Sequence, residues 1–215
     1  MPRMTHPWPL FDLVVRTPRL ELRAPTDDDL VELLDVARAG VHDPETMPFA
    51  VAWTDVPSPD FERDFLRYYW GTRAEWAPGA WQLPLVVVRD GRPIGFQEMS
   101  AVDFAARRNV KTGSWLGRRH QGLGIGTEMR AAILFLAFEG LGALAAESGA
   151  LEGNLASARV SEKLGYRPNG LGLVAPRGTP VVEQRYRLAR ADWRRDLCPV
   201  TIENLEPCLR MFGVE

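Results

Sequence analysis

One short segment limits what this chain can become: Gln121-Gly122-Leu123-Gly124-Ile125-Gly126-Thr127-Glu128. It follows the strand-like Trp115-Leu116 and opens a strong helix pattern over 126–139, rich in Ala, Leu and Met. The first N–H groups of a helix lack internal partners and carry positive partial charge. Glycines let the backbone bend there and let a phosphate approach. A P-loop reading requires Gly-Lys followed by Ser or Thr, and this loop has no lysine. A dinucleotide fingerprint requires Gly or Ala where Thr127 stands, although Glu147 falls where a ribose-binding acid would. A glycine-rich turn with no ligand is the plainer alternative.

The rest of the chain reads as an α/β pattern with a mixed sheet. Leu20-Glu21-Leu22-Arg23 alternates as a half-buried strand. Thr26 and Asp29 form a capping box for a helix that buries Leu30, Leu33, Leu34 and Ala37 and ends at Gly40. Residues 41–59, with His42, Phe49 and Trp53, are long for a connection, which implies a functional lid or unresolved helical turns. A second helix over 61–76 presents Phe61, Phe65, Tyr68 or Tyr69, and Trp76 to the core, as packing rather than ligand contacts. Strands over 85–88 and 94–99 flank the Asp90-Gly91 turn, and a polar turn at 107–109 leads to the strand through Trp115. A buried strand over 144–146, a helix over 155–164 stopped by Gly165, and strands over 166–174 and 181–188 complete the order.

Bulk properties narrow the class. The 215 residues, 46% of them hydrophobic, suffice for one domain with its own core. A net charge of −2 gives no general pull toward nucleic acid or anionic lipid. The longest fully apolar run, 131–138, falls far short of the ~20 residues of a membrane span. The start of the chain is broken by Pro2, Pro7 and Pro9 with no apolar signal core, so the expected compartment is the cytoplasm. There, Cys198 and Cys208 are expected to be free thiols without a catalytic role.

A second motif sharpens the first. Gln121-x-x-Gly124-x-Gly126 satisfies the Gln/Arg-x-x-Gly-x-Gly/Ala pattern of acyl-CoA loops, and Asn154 follows Gly126 by 28 residues, room for a helix and a strand. The run 154–166, ending Glu162-Lys163-Leu164-Gly165-Tyr166, resembles the second signature of GNAT acyltransferases. Val15-Arg16-Thr17-Pro18-Arg19-Leu20-Glu21-Leu22-Arg23 and Gly113-Ser114-Trp115-Leu116 are similar to segments of the Rim-type branch, which includes enzymes acetylating ribosomal-protein α-amines. The resemblance spans about residues 10–190 of a single domain over 1–215 and fades in the tail 191–215. It implies a GNAT fold: a central, mostly antiparallel mixed sheet flanked by helices.

It also implies a donor, acetyl-CoA or another acyl-CoA, with no metal. Leu116, Gln121, Gly122, Leu123, Gly124, Ile125, Gly126 and Thr127 would hold the donor, largely through backbone, with Asn154 on its arm. Ser157 would face the thioester sulfur as general acid. Asn154 and Ser157 are equally suited to capping a helix. Ser161 stands where many members carry a tyrosine acid, and Lys111 where the branch often has an acid. The base candidates are therefore Glu98, Asp103 and His120, each also readable as a solvated surface group. Ser114 in place of a tyrosine widens the expected pocket, and Arg107, Arg108 and Lys111 could pair with a carboxylate on a succinyl chain. The expected partners are an acyl-CoA, an amine (protein N-terminus, lysine or small amine) and a second copy of the chain in a homodimer, without nucleic acid or membrane. A catalytically silent acyl-CoA or nucleotide sensor on the same fold is the alternative.

Overall fold

The computed structural model describes residues 6–214; the reading of the chain start as far as Thr5 lies outside them. The chain runs β1 (Val14–Arg16), β2 (Glu21–Arg23), α1 (Asp27–Arg38), α2 (Asp60–Ala74), β3 (Ala80–Arg89), β4 (Arg92–Val102), the short α3 (Phe104–Arg107) and β5 (Asn109–Leu116). There follow α4 (Ile125–Phe135), β6 (Ala145–Leu151), α5 (Leu155–Lys163), β7 (Arg167–Val174), β8 (Val181–Ala189) and β9 (Thr201–Glu203). The strands form one sheet of nine in the order β7-β8-β6-β5-β4-β3-β2-β1-β9. Every pairing is antiparallel except β5 with β6, the pair joined by the α4 crossover.

The central strands are covered on both faces. On one side Val86, Phe96 and Trp115 pack with Leu30, Leu33, Phe61, Phe65 and Tyr69 of α1 and α2. On the other, Leu85, Met99 and Val110 pack with Ile125, Met129 and Ile133 of α4. Burial on both faces explains why Leu85-Val86-Val87-Val88 is continuously apolar rather than alternating.

Local signals have visible causes. The Thr26 hydroxyl accepts the Asp29 N–H at 3.1 Å while Asp29 accepts the Thr26 N–H at 2.7 Å, the reciprocal box the sequence predicts. Asp90 and Gly91, at φ +52° and +75°, make the tight turn between β3 and β4. Tyr69, rather than Tyr68, is the buried tyrosine of α2. Trp76 lies past the helix end, stacked on Trp81 and edge-on to Phe212. The tail is not peripheral: β9 pairs with β1, and the fully buried Cys208 and Phe212 join the core. Both cysteines are free, and burial pushes the Cys208 thiol up to about 11. Among the described residues no helix is long and apolar enough to cross a membrane.

Candidate functional site

Strands β5 and β6 run together only from Asn109 beside Ala145 to Lys111 beside Glu147. Beyond that they part. The Thr112 hydroxyl donates to the Glu147 carbonyl at 3.1 Å and closes the fork. β5 continues to Leu116 with β4 as its one strand partner, and β6 to Leu151 with β8 as its own. A cavity of about 1040 Å³ fills the gap, walled by the end of β5, the glycine loop, the first turns of α4 and α5, and the connection after α1.

The glycine loop delivers an uncapped helix end to this cavity. Gly124, at φ +79°, occupies the N-cap position of α4, and no side chain caps the helix. The first N–H groups of α4 are left for a guest, and the helix dipole favours an anion there. Glu128, the one acid of that first turn, would oppose an anion. Its carboxylate is instead turned to the β1–β2 corner, where the Thr17 hydroxyl donates at 2.6 Å and the Arg19 Nε at 2.7 Å. Arg19 also donates to the Leu123 carbonyl at 3.2 Å and braces the loop from outside. The Gln121 amide donates to the Val41 and Leu116 carbonyls at 2.6 and 2.8 Å, so its side chain ties the loop to both walls.

Opposite the loop, the Asn154 carbonyl oxygen accepts the Ser157 N–H at 3.1 Å and caps α5, while its amide donates to Pro48 at 3.5 Å across the cavity. Ser157 is half-buried on the cavity wall, and its hydroxyl makes no hydrogen bond among the described residues. Residues 41–50 form the facing wall. They are anchored behind by Trp53, the 3-10 turn Trp53–Asp55 being packed on Phe61, Phe65 and Trp115. Arg177, between β7 and β8, grips Asp55 with two hydrogen bonds of 2.6 and 2.9 Å and joins the two loops over the opening. The connection is therefore both a wall and, locally, a helical turn.

The structure brings Leu116, Gln121, Gly122, Gly124, Gly126, Thr127, Asn154 and Ser157 to the cavity. It also brings His42 and Ser114 there, and leaves Glu98, Asp103 and His120 outside the lining. The Leu123 side chain is exposed, and Ile125 is fully buried in the core behind the loop. His120 sits beside Arg119, which donates to its Nε2 at 2.9 Å; burial, then the nearby Arg119 and Arg89, lower its pKa. Glu98 stands on the α2 face opposite Gly113, with the Tyr68 hydroxyl donating at 3.1 Å. Burial raises its pKa, against the hydrogen bonds from Tyr68 and Gln82. Asp103 opens α3, away from the lining. Ser161 is wholly buried and its hydroxyl has no partner, so the position expected for a tyrosine acid faces the interior.

The basic cluster and Glu147 need correction. Arg107, at the end of α3, and Lys111 border a separate depression with Gln82, Ser100 and Glu147, and strand alternation turns Lys111 and these three to the α2 face. Arg108 folds back to donate to the Leu141 carbonyl at 3.1 Å. The cavity's cations are others: Arg130 on its floor, Arg159 and Lys163 along α5, and Arg177, which is held by Asp55. The i, i+4 spacing of Arg159 and Lys163 after Asn154 was a readable sign of one charged helix face.

Comparison with known proteins agrees with this architecture. The family model described as an acetyltransferase (GNAT) domain matches residues 19–167. Among solved structures, RimJ of Mycobacterium smegmatis in complex with CoA-disulfide superposes with a TM-score of 0.64 at 22% identity, over 83% of this chain and 88% of that one. A Vibrio cholerae protein assigned as a ribosomal-protein-serine acetyltransferase does so at 0.64 and 20%, over 83% and 98%. A GNAT-family acetyltransferase of Bacillus anthracis reaches 0.65 at 16%, over 83% and 99%. With its two motifs at the parted strands and the family model matching more than half its length, this chain belongs to the GNAT acetyltransferase family.

Proposed function

We propose that this protein transfers an acyl group from an acyl-CoA directly to an amine held in the same complex. The observation that carries this is the uncapped start of α4 opening onto a cavity between parted strands. Backbone N–H groups from Gly124 to Thr127 suit a pyrophosphate, and Arg159 and Lys163 on the rim suit a further phosphate. Asn154 orients the arm of the donor. The amine nitrogen attacks the thioester carbonyl carbon, the C–S bond breaks, and the departing sulfur takes a proton, for which the cavity-lining Ser157 is the candidate donor. Most of the acceleration in such a site comes from holding the two reactants together.

Glu98 is the best placed of the three base candidates, Asp103 lying away from the lining. It faces the same side of the sheet as Gly113, a cavity-lining residue without a side chain, whereas His120 lies behind the loop. A raised carboxyl pKa suits a proton acceptor working through water across Gly113. Acetyl-CoA is the donor common to the family, and a longer chain such as succinyl is the alternative donor in this reading. A protein N-terminal amine is the favoured acceptor, on the likeness to RimJ and the Vibrio cholerae structure, with lysine and small amines as alternatives. A homodimer in the cytoplasm completes this reading.

The test is thiol release from acyl-CoA in the presence of peptides with free N-terminal amines, lysine peptides and small amines, with mass spectrometry of the products. Amine-dependent release with an acylated product is expected. Tight binding of acyl-CoA with no release for any amine would convert the protein into a sensor.

A further inference from the structure

The floor of the cavity holds a charge without a counter-charge. Arg130, on the second turn of α4, is 4% exposed and lines the cavity. Its Nη1 donates to the Ser148 hydroxyl on β6 at 2.9 Å, and its Nη2 to the Ser114 hydroxyl on β5 at 3.1 Å. The guanidinium thus spans the gap where the two strands part. Both partners are neutral, and the buried Nε has no partner at all. No carboxylate lies within ion-pair distance of Arg130 among the described residues; Glu128, two residues before it, is held by Arg19.

This arrangement is costly unless something completes it. An arginine side chain does not shed its proton in a protein, so burial cannot be relieved by neutralisation. An isolated buried cation is strongly disfavoured without an anion or a full set of acceptors. The Tyr166 phenol nearby favours the charged form but carries no charge while protonated, and its own burial keeps it protonated. The guanidinium head, whose Nη groups reach two neutral serines, sits at the floor of a cavity, where its planar fork matches a carboxylate. Ser114 makes this possible: a large side chain there would occupy the space through which Arg130 reaches β5.

Resting on the reading of the cavity as an acyl-CoA site, we propose that Arg130 selects donors whose acyl chain ends in a carboxylate, as in succinyl-CoA. The carboxylate is assigned to the donor, not the acceptor, because Arg130 extends from the helix whose start would hold the donor. Its head also lies between the strands that would flank the donor's arm.

The experiment compares succinyl-CoA with butyryl-CoA, equal in chain length but uncharged, using one carboxylate-free peptide amide as acceptor. The wild-type protein is expected to favour succinyl-CoA in kcat/KM by about ten- to a hundredfold, the range of a charge-assisted hydrogen bond in a dry site. Arg130→Met should bring the ratio to near one, and Arg130→Lys should restore part of it. A wild-type ratio of one or less overturns the proposal even if Arg130→Met does not fold. So does a fall in both donors by the same factor in a folded Arg130→Met, which would make Arg130 a structural brace. A preference for amino acids over their amides as acceptors, lost in Arg130→Met, would move the carboxylate to the acceptor and also overturn it. If neither donor binds, the acyl-CoA reading itself fails, separately from the role of Arg130.

Discussion

Replacing Gly124 by alanine perturbs the glycine loop at one atom. An added Cβ would have Arg19 Nη2 as its nearest neighbour at 3.6 Å, an ordinary contact, so no clash is created. The backbone is the problem: φ is +79°, where an L side chain costs roughly 1–2 kcal/mol. Loss of unfolded-state freedom offsets about 0.4–1 kcal/mol of this. The net destabilisation is then about 1 kcal/mol, a fall in Tm of about 2–4 °C for a chain of this size. Gly122→Ala is the internal control, with φ +74° and nothing within 4 Å of the added carbon. Its stability loss should be similar. CoA affinity should separate the two. The Gly124 carbonyl accepts the Glu128 N–H at 3.1 Å and sets the first turn of α4, so relief of strain there moves the free N–H groups. Gly124→Ala should weaken CoA by about tenfold or more, or about 1.4 kcal/mol, and Gly122→Ala by less. Differential scanning fluorimetry and calorimetric titration read both quantities. Parent-like CoA affinity in a destabilised Gly124→Ala would refute the idea that this backbone forms the cradle.

Three further outcomes follow from the same geometry. Ser157→Ala should lower kcat with little change in CoA affinity, and an unchanged steady-state kcat would leave Ser157 with only its place in the α5 cap. Asn154→Ala should lower stability by about 1 kcal/mol through the lost cap and also weaken CoA; a change in stability alone, by melting and titration, would confine it to capping. Asp29 is buried, which works against its charge, yet hydrogen bonds from Arg23 and Thr26 hold its pKa below the usual value. A depressed folded pKa stabilises above the unfolded carboxylate value of about 3.9 and is lost as pH falls through the folded one. Urea titrations should therefore show Asp29→Asn less stable than the parent at neutral pH, with the gap closing in acid; a gap independent of pH would refute the assignment.

Much of this architecture is legible in the sequence because local chemistry and tertiary demand coincide. Thr26 and Asp29, the Asp90-Gly91 turn, and the glycines before α4 each carry a short-range cause that the fold merely uses. The strands β1 and β9 escape such reading: at three residues each, they exist through pairing across the chain, Val15 opposite Ile202. The charges near the site mislead for a related reason. Arg107 and Lys111 are close to Ser114 in sequence, but alternation along β5 sends Lys111 and Ser114 to opposite faces. Arg130 is hidden in an apolar helix pattern, where a single cation reads as a solvated position, and only the parting of β5 from β6 gives it a cavity to face.

The central claim is that the start of α4 binds the CoA moiety, and calorimetric titration of CoA into the parent and Gly126→Asp tests it most directly. An added Cβ at Gly126 would meet only Val160 Cγ2, at 3.7 Å, so the variant should fold, while its carboxylate would stand among the N–H groups meant for phosphate. One CoA per chain is predicted for the parent and no measurable binding for a folded Gly126→Asp. No binding to the parent, or equal binding to both, would contradict the account.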